Sequence, residues 1–240
     1  MAVLEKAQFS AADLAENFPN APLSEASYEI RFDPKLRIPA EVWKLQEQVG
    51  AACPNFSVEN VLALGGQLLP TYTFASKDRT MMVRVSQQNL GIIVTAYPGF
   101  AAFHKRIVDW TGSFCEMYGV ESVTRTGLRY INNIVLPRQA RLSEYVNPFV
   151  DLNRFSLDTK NSQFVCEIRS AMSDHDLMIR TALIKDPIPS YMLDIDCYIE
   201  RPAKPGDVAG LLTKFHESAK VTFLEHIKTP LKEEFRRRTK

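Results

Sequence analysis

Arg31, Arg84, Arg129, Arg169 and Arg180 each fall in a segment whose apolar and polar residues alternate. A guanidinium is planar, always charged and forked, so several gathered on one surface would hold phosphates or carboxylates through paired N–H donors. Period-two alternation marks a strand and sends these residues to the face opposite the apolar set. Glu29, Glu167, Asp194 and Asp196 occupy comparable places. Two readings therefore stand open: an anion-binding surface, or a solvated sheet face of cross-strand ion pairs contributing about 0.2–1 kcal/mol each. Asp194 and Asp196, two residues apart, share a face and could hold Mg²⁺ or divide acid and base roles. With Leu193, Ile195, Cys197 and Ile199 on the other face, they are equally the polar side of an ordinary strand.

Other chemistry is sparsely signalled. None of His104, His175, His216 and His226 has a histidine at i+4 or lies in an HExxH pattern. His104 and His216 each follow a phenylalanine, Phe103 and Phe215, in helix-like segments, which reads as shared packing or as a pair across a twofold axis. His175, between Asp174 and Asp176, reads as an exposed hairpin turn. Gly65-Gly66 lacks the Lys-Ser or Lys-Thr of a phosphate loop, and neither GxGxxG nor GxSxG occurs. No catalytic residue and no cofactor is assigned. Cys53, Cys115, Cys166 and Cys197 have no CxxC or zinc-type spacing and read as buried thiols of a reducing compartment.

The elements that must carry these residues are legible from periodicity. Residues 1–22 read as an N-terminal arm ending at Pro19-Asn20-Ala21-Pro22. Tyr28, Ile30 and Phe32 alternate with Ser27, Glu29 and Arg31 as a half-buried strand, and Val42, Leu45 and Val49 recur at helical spacing after Pro39. Strands follow at Leu68 to Phe74, Met81 to Val85 and Leu90 to Ala96, joined by links too short for parallel crossovers. A helix carries Phe100, Phe103, Ile107, Trp110 and Phe114 and stops at Gly119. Val123 to Val135 reads as a strand with a bulge or close approach at Gly127.

Residues 137–162 form a connection with a short helix near Leu142 to Tyr145. Strands then recur at Phe164 to Ser170, Leu177 to Ile184 and Tyr191 to Ile199, followed by a long helix from Val208 to Ile227. Three strands and a Phe-His helix thus occur twice. The expected fold is α+β: two pseudo-repeated antiparallel βββα units, with helices on one face of the sheet and halves spanning 23–136 and 163–240.

Composition sets the remaining bounds. At 240 residues, 45% hydrophobic and 24% charged, the chain buries on the order of 70% of its unfolded surface and needs no disulfide or metal to fold. Its net charge of +1, from 29 basic and 28 acidic residues, argues against a whole-protein nucleic-acid footprint. The basic end formed by Lys232, Arg236, Arg237, Arg238 and Lys240 is the one place where such contact is weighed. No apolar run is long enough for a membrane span or a secretion signal, so a soluble, cytoplasmic protein is expected.

Pro19 to Phe32 (PNAPLSEASYEIRF) and Arg125 to Asn132 (RTGLRYIN) resemble segments of a sporadically distributed family of uncharacterised bacterial proteins of similar length. Leu193 to Asp196 and the closing FLEHIKTPLKEEF fit the same pattern. The resemblance implies a bacterial cytoplasmic protein with an accessory or defence-linked role and carries over no catalytic residue. The leading expectation is a non-enzymatic binding or regulatory module, for defence or toxin neutralisation, acting through a protein partner or as a homo-oligomer. The alternative is a protein that binds a phosphorylated small molecule such as a nucleotide, or a Mg-dependent phosphohydrolase, using the strand arginines with Asp194 and Asp196.

Overall fold

A computed structural model describes residues 18–62, 68–136, 141–148, 164–184 and 190–237. The chain opens with β1 (Leu23–Arg31) and α1 (Arg37–Val49), then runs through β2 (Asn55–Leu62), β3 (Leu68–Ala75), β4 (Met81–Val85) and β5 (Asn89–Val94) to α2 (Phe100–Tyr118). The remainder comprises β6 (Arg125–Val135), α3 (Leu142–Tyr145), β7 (Phe164–Ala171), β8 (Asp176–Ile184), β9 (Ser190–Ile199), α4 (Val208–His226) and α5 (Thr229–Arg236). All the strand pairings are antiparallel, in one nine-stranded sheet of order β2-β3-β4-β5-β1-β6-β9-β8-β7. The class is α+β.

Local sequence explains the punctuation. Between β3 and β4, the Asp78 carboxylate accepts from Ser76 Oγ at 2.6 Å, Thr80 N–H at 3.1 Å and Thr80 Oγ1 at 2.9 Å, while Arg79 turns the chain at φ 59°. Gly99 starts α2 at φ 89°, and Gly119 ends it at φ 65° with its N–H turned to the carbonyls of Cys115 and Glu116. Pro230 sits in the first turn of α5, where its missing N–H leaves no bond unmade.

The apolar set of each central strand supplies the core. Ala26, Tyr28 and Ile30 of β1, Leu128, Tyr130 and Ile134 of β6, and Leu193, Ile195 and Cys197 of β9 are all buried. Phe103 and Phe114 of α2 and Phe215 of α4 reach full burial beside them. Tyr28 keeps its hydroxyl satisfied there by accepting from Thr111 Oγ1 at 3.3 Å. Phe18 packs edge-on against Phe223 and Phe235, and Asn20 N–H donates to Phe235 O at 3.2 Å, which ties the chain just before β1 to the C-terminal helices.

Cys166, read as a buried thiol, is only half-buried, and two further features depart from the sequence reading. It assigns no strand to 55–62, yet β2 forms the sheet edge; Phe56 and Val58 lie on the apolar side but stay 45% and 49% exposed, so their pattern carries little burial signal. His175 lies in the β7–β8 turn but is not exposed: its side chain is 8% accessible and is held against α4. The Gly65-Gly66 turn, most of the 137–162 connection, and Arg238 and Lys240 of the basic end lie outside the described residues.

Truncating Phe215 to alanine should lower unfolding free energy by about 3–5 kcal/mol, because a fully buried ring would leave a cavity between α4 and the sheet. Denaturant melts of the two proteins measure it; a loss below about 1 kcal/mol would mean that the ring is not the core element described.

Candidate functional site

The polar side of the sheet gathers the arginines. Arg31, Arg129, Arg169 and Arg180, joined by Arg125, line one recess of about 310 Å³ over β1, β6, β9 and their neighbours. Arg84 stands on the same face by register, opposite Gly91, but β5 separates it from β1 and it does not line the recess. Three of the four resemblance segments, at Pro19–Phe32, Arg125–Asn132 and Leu193–Asp196, lie largely on β1, β6 and β9, which are adjacent at the centre of the sheet.

Carboxylates already engage these guanidiniums. Arg129 donates from Nε and Nη2 to the two oxygens of Asp194, each at 2.7 Å, and Arg180 Nη1 approaches Asp194 at 3.8 Å. Arg125 donates to Asp196 at 2.8 Å and Glu29 at 3.3 Å, with its guanidinium 4.8 Å from the centre of the Tyr198 ring. Arg31 takes Glu29 at 2.7 Å, while Arg169 and Arg180 share Glu167 at 2.9 and 2.5 Å. Gly127 is what lets Arg125 lie so close: a Cβ there would stand 2.7 Å from Arg125 Nη1.

Asp194 and Asp196 are 1% and 6% exposed, so both need compensation by these partners. Burial pushes the Asp196 carboxyl up, against the pull of Arg125. Asp194 thus spends both oxygens on Arg129, and Asp196 faces Arg125. Among the described residues, no group of three or more His, Cys, Asp or Glu side chains is placed to hold a metal ion.

A second constellation has the order of a hydrolase triad. His175 Nε2 lies 3.0 Å from Ser218 Oγ, and His175 Nδ1 lies 2.7 Å from Asp174, which also pairs with Lys214 at 2.8 Å. Lys214, and then His175, hold the Asp174 carboxyl down to about 2. A working triad also needs a substrate cavity and donors for an oxyanion. Ser218 stands mid-way along α4, where backbone N–H groups are spent on the helix, and it lines neither the arginine recess nor the cleft beside the first turn of α2. The cluster clasps the β7–β8 turn to α4.

A second cavity, of about 720 Å³, opens between the first turn of α2, α4 and the chain leading into β1. Phe18, Leu23, Phe100, Ile195 and Phe223 supply apolar walls. Its polar groups form a chain: the Tyr97 and Tyr130 hydroxyls are 3.3 Å apart, and the Tyr130 hydroxyl is 3.0 Å from His216 Nδ1. His216 stacks on Phe100, ring centres 3.9 Å apart and planes 5° from parallel. Burial, with Lys220 and His104 nearby, pulls its pKa down to about 4, so the ring is neutral at pH 7. Burial raises both Tyr97 and Tyr130, which keeps the phenols protonated.

No protein-family model matches the chain, and no curated protein matches it in sequence. The geometry alone therefore argues the site. The sequence reading flags His216 but passes over Tyr97, Tyr130 and Asn132. One signal was present: Asn132 falls on the apolar phase of β6 and is 5% exposed, an unusual place for a carboxamide.

His216 gives the cleft a pH signature. Its pKa is depressed on folding, so between about 6.5 and 4 the unfolded chain binds more protons than the folded one. Stability should fall as pH drops through that window, by at most about 1.4 kcal/mol per pH unit from this group, and be unaffected by it above pH 7. Chemical denaturation from pH 7.5 to 4.5 should show a shallower decline in His216→Phe; identical slopes would place the ring in water.

Proposed function

We propose that this protein works by binding and not by turnover, and that its ligand seats in the cleft between α2, α4 and β6. The observation that carries this reading is the cleft's make-up: a cavity of about 720 Å³ with aromatic and aliphatic walls and a few convergent polar groups, the usual form of a small-molecule site. The absence of a nucleophile with both a cavity and an oxyanion site among the described residues favours binding over catalysis. The resemblance of Pro19–Phe32 and Arg125–Asn132 supports a cytoplasmic role in a bacterial accessory system, such as defence or toxin neutralisation, in which ligand occupancy would govern contact with a protein partner.

The same reading takes the chain as two βββα units. Strands β3, β4 and β5 end beside central strand β1 and lead into the 19-residue α2; β7, β8 and β9 end beside central strand β6 and lead into the 19-residue α4. Phe103 and Phe215 are fully buried in the two helices, and Phe100 of α2 stacks on His216 of α4 where they meet. A cleft at that junction is what a duplicated unit would generate.

Ala102 is exposed at the mouth of the cleft, so Ala102→Trp should block entry while changing stability by no more than about 0.5 kcal/mol. Ligand-observed NMR with a library of amphipathic small molecules should find saturable binders of the parent protein that the variant no longer binds. A library with no saturable binder, or binders indifferent to Ala102→Trp, would refute the reading.

The convergence of Arg31, Arg125, Arg129, Arg169 and Arg180 favours a second reading, a phosphorylated small molecule held in the recess. Arg169 and Arg180 each engage Glu167 through Nε, and Arg180 Nη1 also approaches Asp194, which leaves the terminal N–H groups of Arg169 and the Nη2 of Arg180 for a ligand. If this holds, nucleotides should raise the melting temperature of the parent protein and not of an Arg169→Ala/Arg180→Ala variant. An unchanged melting temperature across nucleotides, with and without Mg²⁺, would leave the face as an ion-pair lattice.

A further inference from the structure

The arginine recess places its donors and acceptors in a fixed order across the sheet. Arg31 ends β1 at one corner, opposite Arg125. From Ser27, four residues back along β1, a cross-strand row runs through Arg129, Asp196 and Met178 to Arg169 on the edge strand β7. Four strand spacings of about 4.8 Å and four residues of about 3.3 Å set the Arg31 and Arg169 backbones about 23 Å apart. Both side chains line the one recess, so they enter it from opposite ends. A ligand that meets both must be longer than a single phosphate.

Each end has donors to give. Arg31 spends Nε on Glu29 and Arg169 spends Nε on Glu167, which leaves the terminal nitrogens of both, and Arg180 on the strand next to Arg169 keeps Nη2. Such forked N–H groups match phosphate oxygens. The middle offers the reverse. Glu29 accepts through Oε1 alone, from Arg31 and Arg125, and Asp196 through Oδ2 alone, from Arg125. Glu29 Oε2 and Asp196 Oδ1 take no hydrogen bond from the described residues, and a carboxylate oxygen is an acceptor. Gly127 and Tyr198, in one row with Glu29, make an uncharged floor beside them. Carboxylates thus keep anions out of the middle, and groups that donate hydrogen bonds fit there.

We infer that the recess takes a polyol with a phosphate at each end, of the sugar bisphosphate kind. One phosphate would meet Arg31 and the other Arg169 and Arg180, while hydroxyls between them donate to Glu29 Oε2 and Asp196 Oδ1. This assignment rests on the reading of the recess as a phosphate site and adds the number of phosphates and the chemistry that joins them.

Fructose 1,6-bisphosphate tests it, measured by calorimetry at pH 7 against the full chain, beside fructose 6-phosphate and hexane-1,6-diol bisphosphate. The sugar bisphosphate should bind at least about tenfold more tightly than the monophosphate, the factor expected from one further set of charged hydrogen bonds. It should also bind more tightly than the hexanediol compound, which offers the carboxylates no donor. Arg31→Gln and Arg169→Gln, at side chains 44% and 67% accessible, should each bring the bisphosphate to the level of the monophosphate. Arg84→Gln, on the same face but outside the recess, should change nothing. Equal binding of bisphosphate and monophosphate would keep the phosphate site and overturn the two-ended assignment, and equal binding of the two bisphosphates would overturn the polyol. Failure of all three to bind would overturn the assignment and the phosphate reading together. A loss in Arg84→Gln equal to that in Arg31→Gln would make the attraction a property of the whole charged face and overturn the inference.

Discussion

Asp194 carries a carboxylate that is almost wholly out of water, and the centre of the sheet is arranged around supplying it with a partner. An isolated buried carboxylate would cost several kcal/mol, and only a well-formed, fully bonded partner offsets that. Arg129 supplies both N–H groups at 2.7 Å from the neighbouring strand, reaching diagonally past Asp196, the residue directly opposite it in register. Asp196 is left to Arg125, which reaches it by lying flat over Gly127. A one-residue slip between β6 and β9 would turn both carboxylates into the apolar core, so the ion pairs and the hydrophobic alternation enforce one register.

That lattice shapes what the polar face can do. Each carboxylate ties arginines from different strands: Glu167 joins β7 to β8, Asp194 joins β9 to β6, and Glu29 joins β1 to β6. The guanidiniums are held in place instead of moving freely in solvent, which is the preorganisation an anion site requires. The same bonds oppose anion binding, because a ligand must compete with carboxylates already in place. The terminal N–H groups of Arg169 and the Nη2 of Arg180 are better placed to meet an anion than Arg129, whose Nε and Nη2 are committed to a buried partner.

The opposite face solves a different problem. Sheet and helices bury aromatic side chains, and where α2 begins the packing stops short and leaves the cleft. A charged histidine would be unfavourable in that setting, and burial, with Lys220 and His104 nearby, keeps His216 neutral. Strand β6 serves both faces at once. Arg125 and Arg129 project to the lattice, and Tyr130 and Asn132 project to the cleft, so neither face can shift without moving the other.

How much of this was legible follows from what period-two alternation encodes. The arginine face was readable because strand phase alone sends Arg31, Arg129, Arg169 and Arg180 to one side, and the antiparallel links fix neighbouring strands. Which carboxylate each arginine takes was not readable, since Arg129 reaches diagonally to Asp194 and Arg125 reaches Asp196 only by lying across the missing side chain at Gly127. Strand β2 escaped because an edge strand buries too little for its apolar residues to stand out. The cleft escaped for a deeper reason. Tyr97, Tyr130, Asn132 and His216 come from a loop, a strand and a helix, and they meet only because β6 lies mid-sheet with α4 packed against it and α2 against α4. A lone buried asparagine in an apolar phase was the one trace of that meeting in the sequence, and it identifies a site only when the residues around it are known.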